Sequence, residues 1–267
     1  MFHIESISPA DLEGISRLQP ADWTDIVPYF KFYLESDFCC PVKVAVNEII
    51  VGIGVSVAFQ NTAWIAHIIV DPEFRNQGIG AAIVDQLINN PVLKSKGSIL
   101  LIATKMGEPV YLKKGFRVVT EYAFFRRESP WKDYPVSKNI QPFDKKYTHD
   151  ILEMDGIISG EDRSRLLMTS LNGSLVYTDH ERLLGYYMPG MGEGLIEAMD
   201  STAGLELMKA KYASADKAVL PVENTAGIDF LKANGFIETS RANRMVLGTD
   251  IHWQPDKLFS RIGGNLG

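Results

Sequence analysis

The sequence is short of the residues that build cross-linked or metal-held frameworks. Its only two cysteines, Cys39 and Cys40, are adjacent, so one chain supplies neither a disulfide framework nor a four-ligand metal site. They read as small buried hydrophobes, with a redox pair as the alternative. No apolar run approaches the roughly 18 residues that cross a bilayer. The N-terminus MFHIESISPADLEG has no basic stretch leading into a hydrophobic one. The expectation is a cytoplasmic protein off the membrane. There is no Lys/Arg cluster interleaved with aromatics, and the formal net charge is −6. The electrostatic footprint of a nucleic-acid binder is therefore missing. What is present, 267 residues with 46% hydrophobic and 22% charged, suits one or two globular domains with a large core. The acidic balance favours a cationic or neutral partner.

From Val42 the stretch VKVAVNEIIVGIGVSVAFQNTAWIAHIIV reads as three consecutive strands, broken at Asn47-Glu48 and Gln60-Asn61-Thr62. Ahead of this meander, Pro9 to Gln19 and Trp23 to Phe38 are expected to be helical. After it, GIGAAIVDQLINN places Ile79, Ile83 and Leu87 at helical spacing, with Pro91 marking the stop. SILLIAT suits a buried strand, EPVYLKKGF a short helix entered by Pro109 and left at Gly115, and RVVTEYAFFRR a further strand. Residues 128–147 carry Pro130, Pro135 and Pro142 without either period and read as a linker. Beyond it, LPVENTAGIDFLKANGFIETSRANRMVL repeats the strand, helix, Gly-Phe, strand order, and Gly115 and Gly235 are 120 positions apart. That is a domain-sized period, which points to duplication. The alternative is that the short LKKGF and LKANGF match merely marks the common end of a strand-helix-strand unit.

The chemistry concentrates in VDPEFRNQGIGA, residues 70–81. A strand that turns through glycines into a helix leaves backbone N–H groups without helical partners, which makes an anion site. Gly78 and Gly80 permit close approach of a phosphate, and Arg75 adds a positive charge. The spacing Arg-x-x-Gly-x-Gly lacks the Gly-Lys-Ser/Thr of a Walker loop and the third glycine of a dinucleotide fingerprint. A pyrophosphate-bearing ligand fits it. The alternative is a junction where glycine serves only packing.

This segment resembles the acetyl-CoA motif of the GNAT superfamily of N-acetyltransferases. The resemblance implies that Arg75, Asn76, Gln77, Gly78, Gly80 and Ala81 cradle the cofactor pyrophosphate and that Ile68 and Val70 offer the backbone edge for the pantetheine arm. Tyr111, four residues before Gly115-Phe116, matches the family tyrosine that protonates the departing thiolate; its alternative is a packing role. The fold implied is a mixed α/β, α+β acyl-CoA N-acyltransferase fold in two tandem copies, the second degenerate. Residues 1–127 would form the catalytic domain, 128–147 the linker and 148–267 the divergent copy. In that copy LIEAMDSTAGLELMKA replaces the glycine-rich turn and Leu231 stands where Tyr111 does. Asn224 is explained as an N-cap.

The reaction implied is acetyl transfer from acetyl-CoA to an amine, with backbone N–H groups of the strand ending at Val70 serving the oxyanion. No metal is implied. In a regular strand Trp64, Ala66 and Ile68 share the parity of Val70 and His67 points to the other face, so no general base is assigned. His67 reads as a structural histidine unless a bulge re-aims it, and water is the alternative to a dedicated base. The aromatics Trp23, Tyr29, Phe30, Phe32, Tyr33 and Phe38, with Asp22, Asp25, Glu35 and Asp37, form either a pocket for a small-molecule amine or a packed, solvated helical pair. Two further readings stay open, a CoA sensor without turnover and another acyl-CoA as donor. The second half is expected to be structural or acceptor-binding.

Overall fold

The computed structural model describes residues 2–21, 23, 25–130 and 132–267. They form two compact units, Met1–Arg117 with Met245–Thr249, and Val118–Arg244 with Asp250–Gly267. Among the described residues no helix is long and apolar enough to cross a membrane.

The first unit opens with strand β1 (His3–Ser6), helices α1 (Leu12–Ser16) and α2 (Val27–Glu35), and strands β2 (Cys39–Val46), β3 (Ile49–Ala58) and β4 (Thr62–Val70). There follow α3 (Ile79–Ile88), α4 (Pro91–Lys94), β5 (Ser98–Ala103), α5 (Glu108–Lys113) and the start of β6 (Arg117–Arg127). Strands run β1-β2-β3-β4-β5 across the sheet. The β2–β3 hairpin closes at Asn47 and Glu48, both with positive φ (49° and 67°), the turn whose twist matches that of the strands. Helix α3 lies so close on β3 that a Cβ on Gly54 would fall 2.6 Å from Ile83 Cγ2. Ile79, Ile83, Val84 and Leu87 form a core with Val51, Ile65, Leu101 and Phe116.

Several local expectations differ from the structure, the linker over 128–147 among them, since Ile140–Pro142 forms a strand paired with Leu175–Tyr177. The two N-terminal helices are shorter than Pro9 to Gln19 and Trp23 to Phe38. The first breaks up where Leu18 N turns back to Ile15 O (2.9 Å). The second starts at Val27, with Pro28 in its first turn, where the missing N–H breaks no helical bond, and it ends where Ser36 turns extended. Trp23 and Asp25 precede α2, and Asp22 lies outside the described residues. Pro91 opens the short helix α4 rather than simply stopping α3. The short strand β1, mostly exposed, was not anticipated.

The second unit holds β7 (Ile140–Pro142), α6 (Thr148–Ser159), α7 (Ser164–Leu167), β8 (Leu175–Asp179), β9 (Arg182–Met188) and β10 (Leu195–Ala198). It continues with α8 (Ser201–Tyr212), β11 (Lys217–Pro221), α9 (Thr225–Ala233), β12 (Phe236–Gly248) and β13 (Leu258–Ser260). Strands run β13-β10-β9-β8-β7 in one sheet, while β6 pairs antiparallel with β11, Tyr122 facing Pro221. Its β8–β9 hairpin closes at His180 and Glu181 with φ of 45° and 66°. The last residues of β12 belong to the first unit, where Thr249 N donates to Gly97 O (2.9 Å) and Met245 is fully buried in its core.

Candidate active site

Strand β4 pairs in parallel with β5 only where Thr62–Trp64 face Ser98–Leu100. Beyond Trp64 that ladder stops, while β4 stays paired with β3 up to Val70. The backbone of Ile65–Val70 therefore runs along an opening in the sheet, where an extended ligand can add hydrogen bonds as a further strand would. Ile68 and Val70, the residues expected at this edge, are half-buried and pack on the α3 side.

At the end of β4 the Asp71 side chain accepts from Glu73 N (2.9 Å) and sets a short 3-10 turn. Arg75 Nε donates to Val70 O (3.1 Å), which ties this side chain to the strand end. Asn76 and Gly78 take positive φ, 62° and 83°, so two left-handed residues aim the chain into α3. Gly78 is the N-cap of α3 and no side chain caps it. The first-turn N–H groups are thus left for a partner outside the helix. A Cβ on Gly78 would meet nothing within 4 Å, and one on Gly80 only Val70 Cγ2 at an ordinary 3.7 Å. Neither glycine is demanded by contact with the rest of the protein. That argues against the packing alternative and fits a cradle open to phosphate, with Gln77 and Ala81 beside it.

Tyr111 lies on α5, 9% exposed, with its ring against Phe116 (centroids 5.9 Å apart). Burial pushes its phenol up to about 12, so it holds a proton at neutral pH and can donate it. Lys114 Nζ bonds Asp85 Oδ2 (2.6 Å) and fastens the end of α5 to α3.

The face assignment along β4 needs correction. The pairing with β3 shifts between Ile53↔Ile69 and Val55↔Ala66, and His67 has φ of 48°. A β-bulge therefore sits at His67. Ala63 and Ile65 before it, and Ile68 and Val70 after it, all pack on the α3 side. Trp64 and Ala66 consequently do not share the face of Val70, because the extra residue resets the alternation. His67 is surrounded by rings, with centroids of Tyr29 at 5.3 Å, Phe30 and Tyr33 at 5.7 Å and Trp23 at 6.0 Å. Its Nδ1 shares a 3.0 Å hydrogen bond with the Tyr33 hydroxyl, and burial pushes its pKa down to about 4. Of the aromatics anticipated here, Phe30 and Tyr33 are core. Cys39 is buried and its thiol is pushed up to about 12 by burial. It is thus a poor nucleophile at neutral pH, as a packing role requires.

The second unit solves the same local problem differently. Asp200 caps α8 by accepting from Ala203 N (2.9 Å), so a carboxylate of the chain already occupies the helix N-terminus. A Cβ on Gly204, in the first turns of α8, would overlap the ring of Phe259 on β13. Leu231 is fully buried core, and Asn224 is the N-cap of α9, accepting from Gly227 N (2.8 Å). Sequence reasoning saw that the glycine turn was missing but not that Asp200 replaces it, although an aspartate just ahead of Ser-Thr-Ala is a readable capping signal.

Residues 34–135 match the model of the acetyltransferase (GNAT) domain. The fold is shared by a Pyrococcus horikoshii structure carrying the name of an acetyltransferase, with TM-score 0.84, 18% identity, and coverage of 100% of this chain and 96% of that one. A GCN5-related N-acetyltransferase from Sphaerobacter thermophilus aligns with TM-score 0.65 and 15% identity over 94% of this chain and 98% of its own. One from Anabaena variabilis gives 0.58 and 12% over 92% and 72%. No curated protein matches the sequence. The protein is an acyltransferase enzyme by the match of residues 34–135 to the GNAT acetyltransferase domain, and the solved structures share its fold.

Proposed function

We propose that the protein transfers the acetyl group of acetyl-CoA to the amine of a small-molecule acceptor, with one cofactor site per chain. Arg75, Asn76, Gln77, Gly78, Gly80 and Ala81 hold the pyrophosphate, and the backbone at Ile68 and Val70 lies along the pantetheine. The observation carrying this reading is the contrast between two helix N-termini: α3 has no side-chain cap and open space at Gly78, whereas α8 is closed by Asp200.

Acetyl-CoA supplies the activated thioester as cosubstrate. N–H groups along the parted stretch of β4 stabilise the oxyanion, and Tyr111 donates the proton that the leaving thiolate needs. His67 binds a proton only below about pH 4, which makes it a weak base, so the amine proton leaves to water. The cradle reads the CoA portion, so longer acyl chains are a question for the acceptor side of the opening.

Tandem duplication is part of this proposal, with residues 1–127 as catalytic copy, 128–147 as connection and 148–267 as divergent copy. It is supported by the matched orders β2-β3-β4-α3-β5-α5-β6 and β8-β9-β10-α8-β11-α9-β12. It is supported again by the paired hairpin turns at Asn47-Glu48 and His180-Glu181. Calorimetric titration with CoA together with thiol release across a panel of amines tests the reading. One site per chain and amine-dependent thiol release are expected; two comparable sites, or binding without release for every amine, would overturn it.

A further inference from the structure

The second unit encloses a polar centre that the acetyl-transfer reading does not use. Tyr122, on β6, is fully buried; the Arg244 guanidinium faces its hydroxyl oxygen, and its own O–H finds no acceptor. Arg261, directly after β13, gives Nε and Nη2 to the Glu193 carboxylate (3.0 and 2.8 Å). Its Nη1 is buried without a partner. The Arg261 guanidinium lies 5.7 Å from the Tyr122 ring centre and 4.9 Å from that of Phe124. Arg244, on β12, stacks 3.8 Å over Trp253, whose ring is 6.4 Å from that of Tyr122. Its Nη2 stands 3.9 Å from Glu161 Oε1. Burial pushes the Tyr122 phenol up, and the positive charges of Arg244 and Arg261 oppose that shift. Both guanidinium groups therefore act on the same phenol.

The two orphaned groups, a phenol O–H and a guanidinium N–H, can both donate, and what the centre lacks is an acceptor. Burying such donors unpaired costs stability, so an acceptor placed among them is favoured. The charge balance says what kind. Arg163, Arg244, Arg261 and Lys211 are buried here with Asp155, Glu161 and Glu197, and Glu193 is partly exposed. Glu197 is pushed well up by burial and by Asp155 beside it. Counted by position alone, four buried cations stand against three buried carboxylates, and the fourth carboxylate, Glu193, reaches solvent. A single negative charge completes the set. Guanidinium and phenol donors suit a planar pair of oxygens, and a phosphate dianion would overshoot the excess. Trp253 is only partly buried and gives the centre a wall that reaches solvent.

We propose that Tyr122, Arg261 and Arg244, walled by Trp253 and Phe124, form a binding site for a carboxylate. The site needs no acyl-CoA, so its test is independent of the transfer reaction. The full chain is titrated with sodium formate and sodium acetate, against chloride and inorganic phosphate at fixed ionic strength. The readouts are the melting temperature and the emission of Trp253, isolated by comparison with Trp253→Phe. Saturable stabilisation and an emission change with formate and acetate are expected. Tyr122→Phe keeps the ring packing and removes only the donor, so it should raise the half-saturating concentration roughly tenfold. Arg261→Lys, which keeps the charge and loses Nη1, should act in the same direction. Absence of a saturable carboxylate response in the unmodified protein overturns the proposal, and needs no variant to fold. So does an equal response to chloride, which would mean an adventitious ion only, or an undiminished response in Tyr122→Phe.

Discussion

Replacing Gly78 with asparagine adds a side chain where the structure leaves space for a ligand, and the effect can be separated from backbone strain. Gly78 has φ 83° and ψ −2°, a conformation that costs an ordinary L-residue roughly 1–2 kcal/mol. Asparagine is among the residues that tolerate it. Since a Cβ here would meet no protein atom within 4 Å, Gly78→Asn should fold with a melting temperature near that of the parent. Gly78→Val should lose about 1–2 kcal/mol or more from strain, β-branching being worst in this region. Both should lose CoA affinity, because the new side chain stands in front of the first-turn N–H groups of α3. Each charge-assisted hydrogen bond to phosphate is worth about 1.5–3 kcal/mol. Displacing the equivalent of one therefore raises Kd by roughly tenfold to a hundredfold. Calorimetric titration with CoA reads this directly, and pantetheine, which lacks the pyrophosphate, serves as control and should bind parent and variant alike. If Gly78→Asn folds and binds CoA with the parent affinity, no phosphate lies at this turn and the cradle assignment is wrong.

Tyr111→Phe keeps the ring against Phe116 and removes the phenolic proton, so CoA binding should persist while turnover drops by roughly 100-fold; steady-state rates beside calorimetry decide. His67 has a pKa of about 4 in the folded chain, against about 6.5 unfolded, so the unfolded chain binds more protons between these values. Stability should fall by ~2–3 kcal/mol as pH drops from 6.5 to 4, and His67→Gln should flatten that part of a urea-denaturation pH series. Asp155→Ala leaves Arg163, 3% exposed, without its closest carboxylate, and should cost about 3–5 kcal/mol in urea denaturation. A fragment ending at Arg127 lacks Met245 and Leu247, which are part of the first unit's own core; it should fail to give a cooperative melt, and a stable, active fragment would refute this.

The meander was legible because its signals are local: β-rich segments of alternating pattern, with Asn47-Glu48 at a turn that needs positive φ. The bulge at His67 was not, because nothing in TAWIAHIIV marks an extra residue. Histidine tolerates the left-handed conformation without announcing it, yet the bulge reverses which side chains share a face. The short α1 and α2 escaped for a related reason, since their ends are set by local backbone turns, Leu18 N back to Ile15 O and Ser36 turning extended, that no residue type there announces. The glycine turn into α3 was legible from Gly78 and Gly80, as a turn of this kind lies within a few consecutive residues. The polar centre of the second unit was invisible. Tyr122, Arg163, Glu197, Arg244 and Arg261 are far apart in the chain, and as isolated charges each reads as surface.

A helix N-terminus presents the same unsatisfied donors wherever it occurs, and the two units dispose of them in opposite ways. Helix α8 takes the stabilising course, with Asp200 accepting from Ala203 N, a cap worth about 1 kcal/mol against alanine. Helix α3 forgoes that contribution at Gly78, and it does so with a backbone angle that a capping serine or aspartate would not adopt cheaply. A turn selected only to join strand to helix would have kept the cap, since the neighbouring protein leaves room for a side chain. The uncapped end is therefore a loss of stability that makes sense if something else supplies the acceptor. A cationic side chain is fastened to the strand end there, Arg75 on Val70 O. An anionic ligand would restore what the fold gave up, which links the conformation of one glycine to the cofactor site proposed for the first unit.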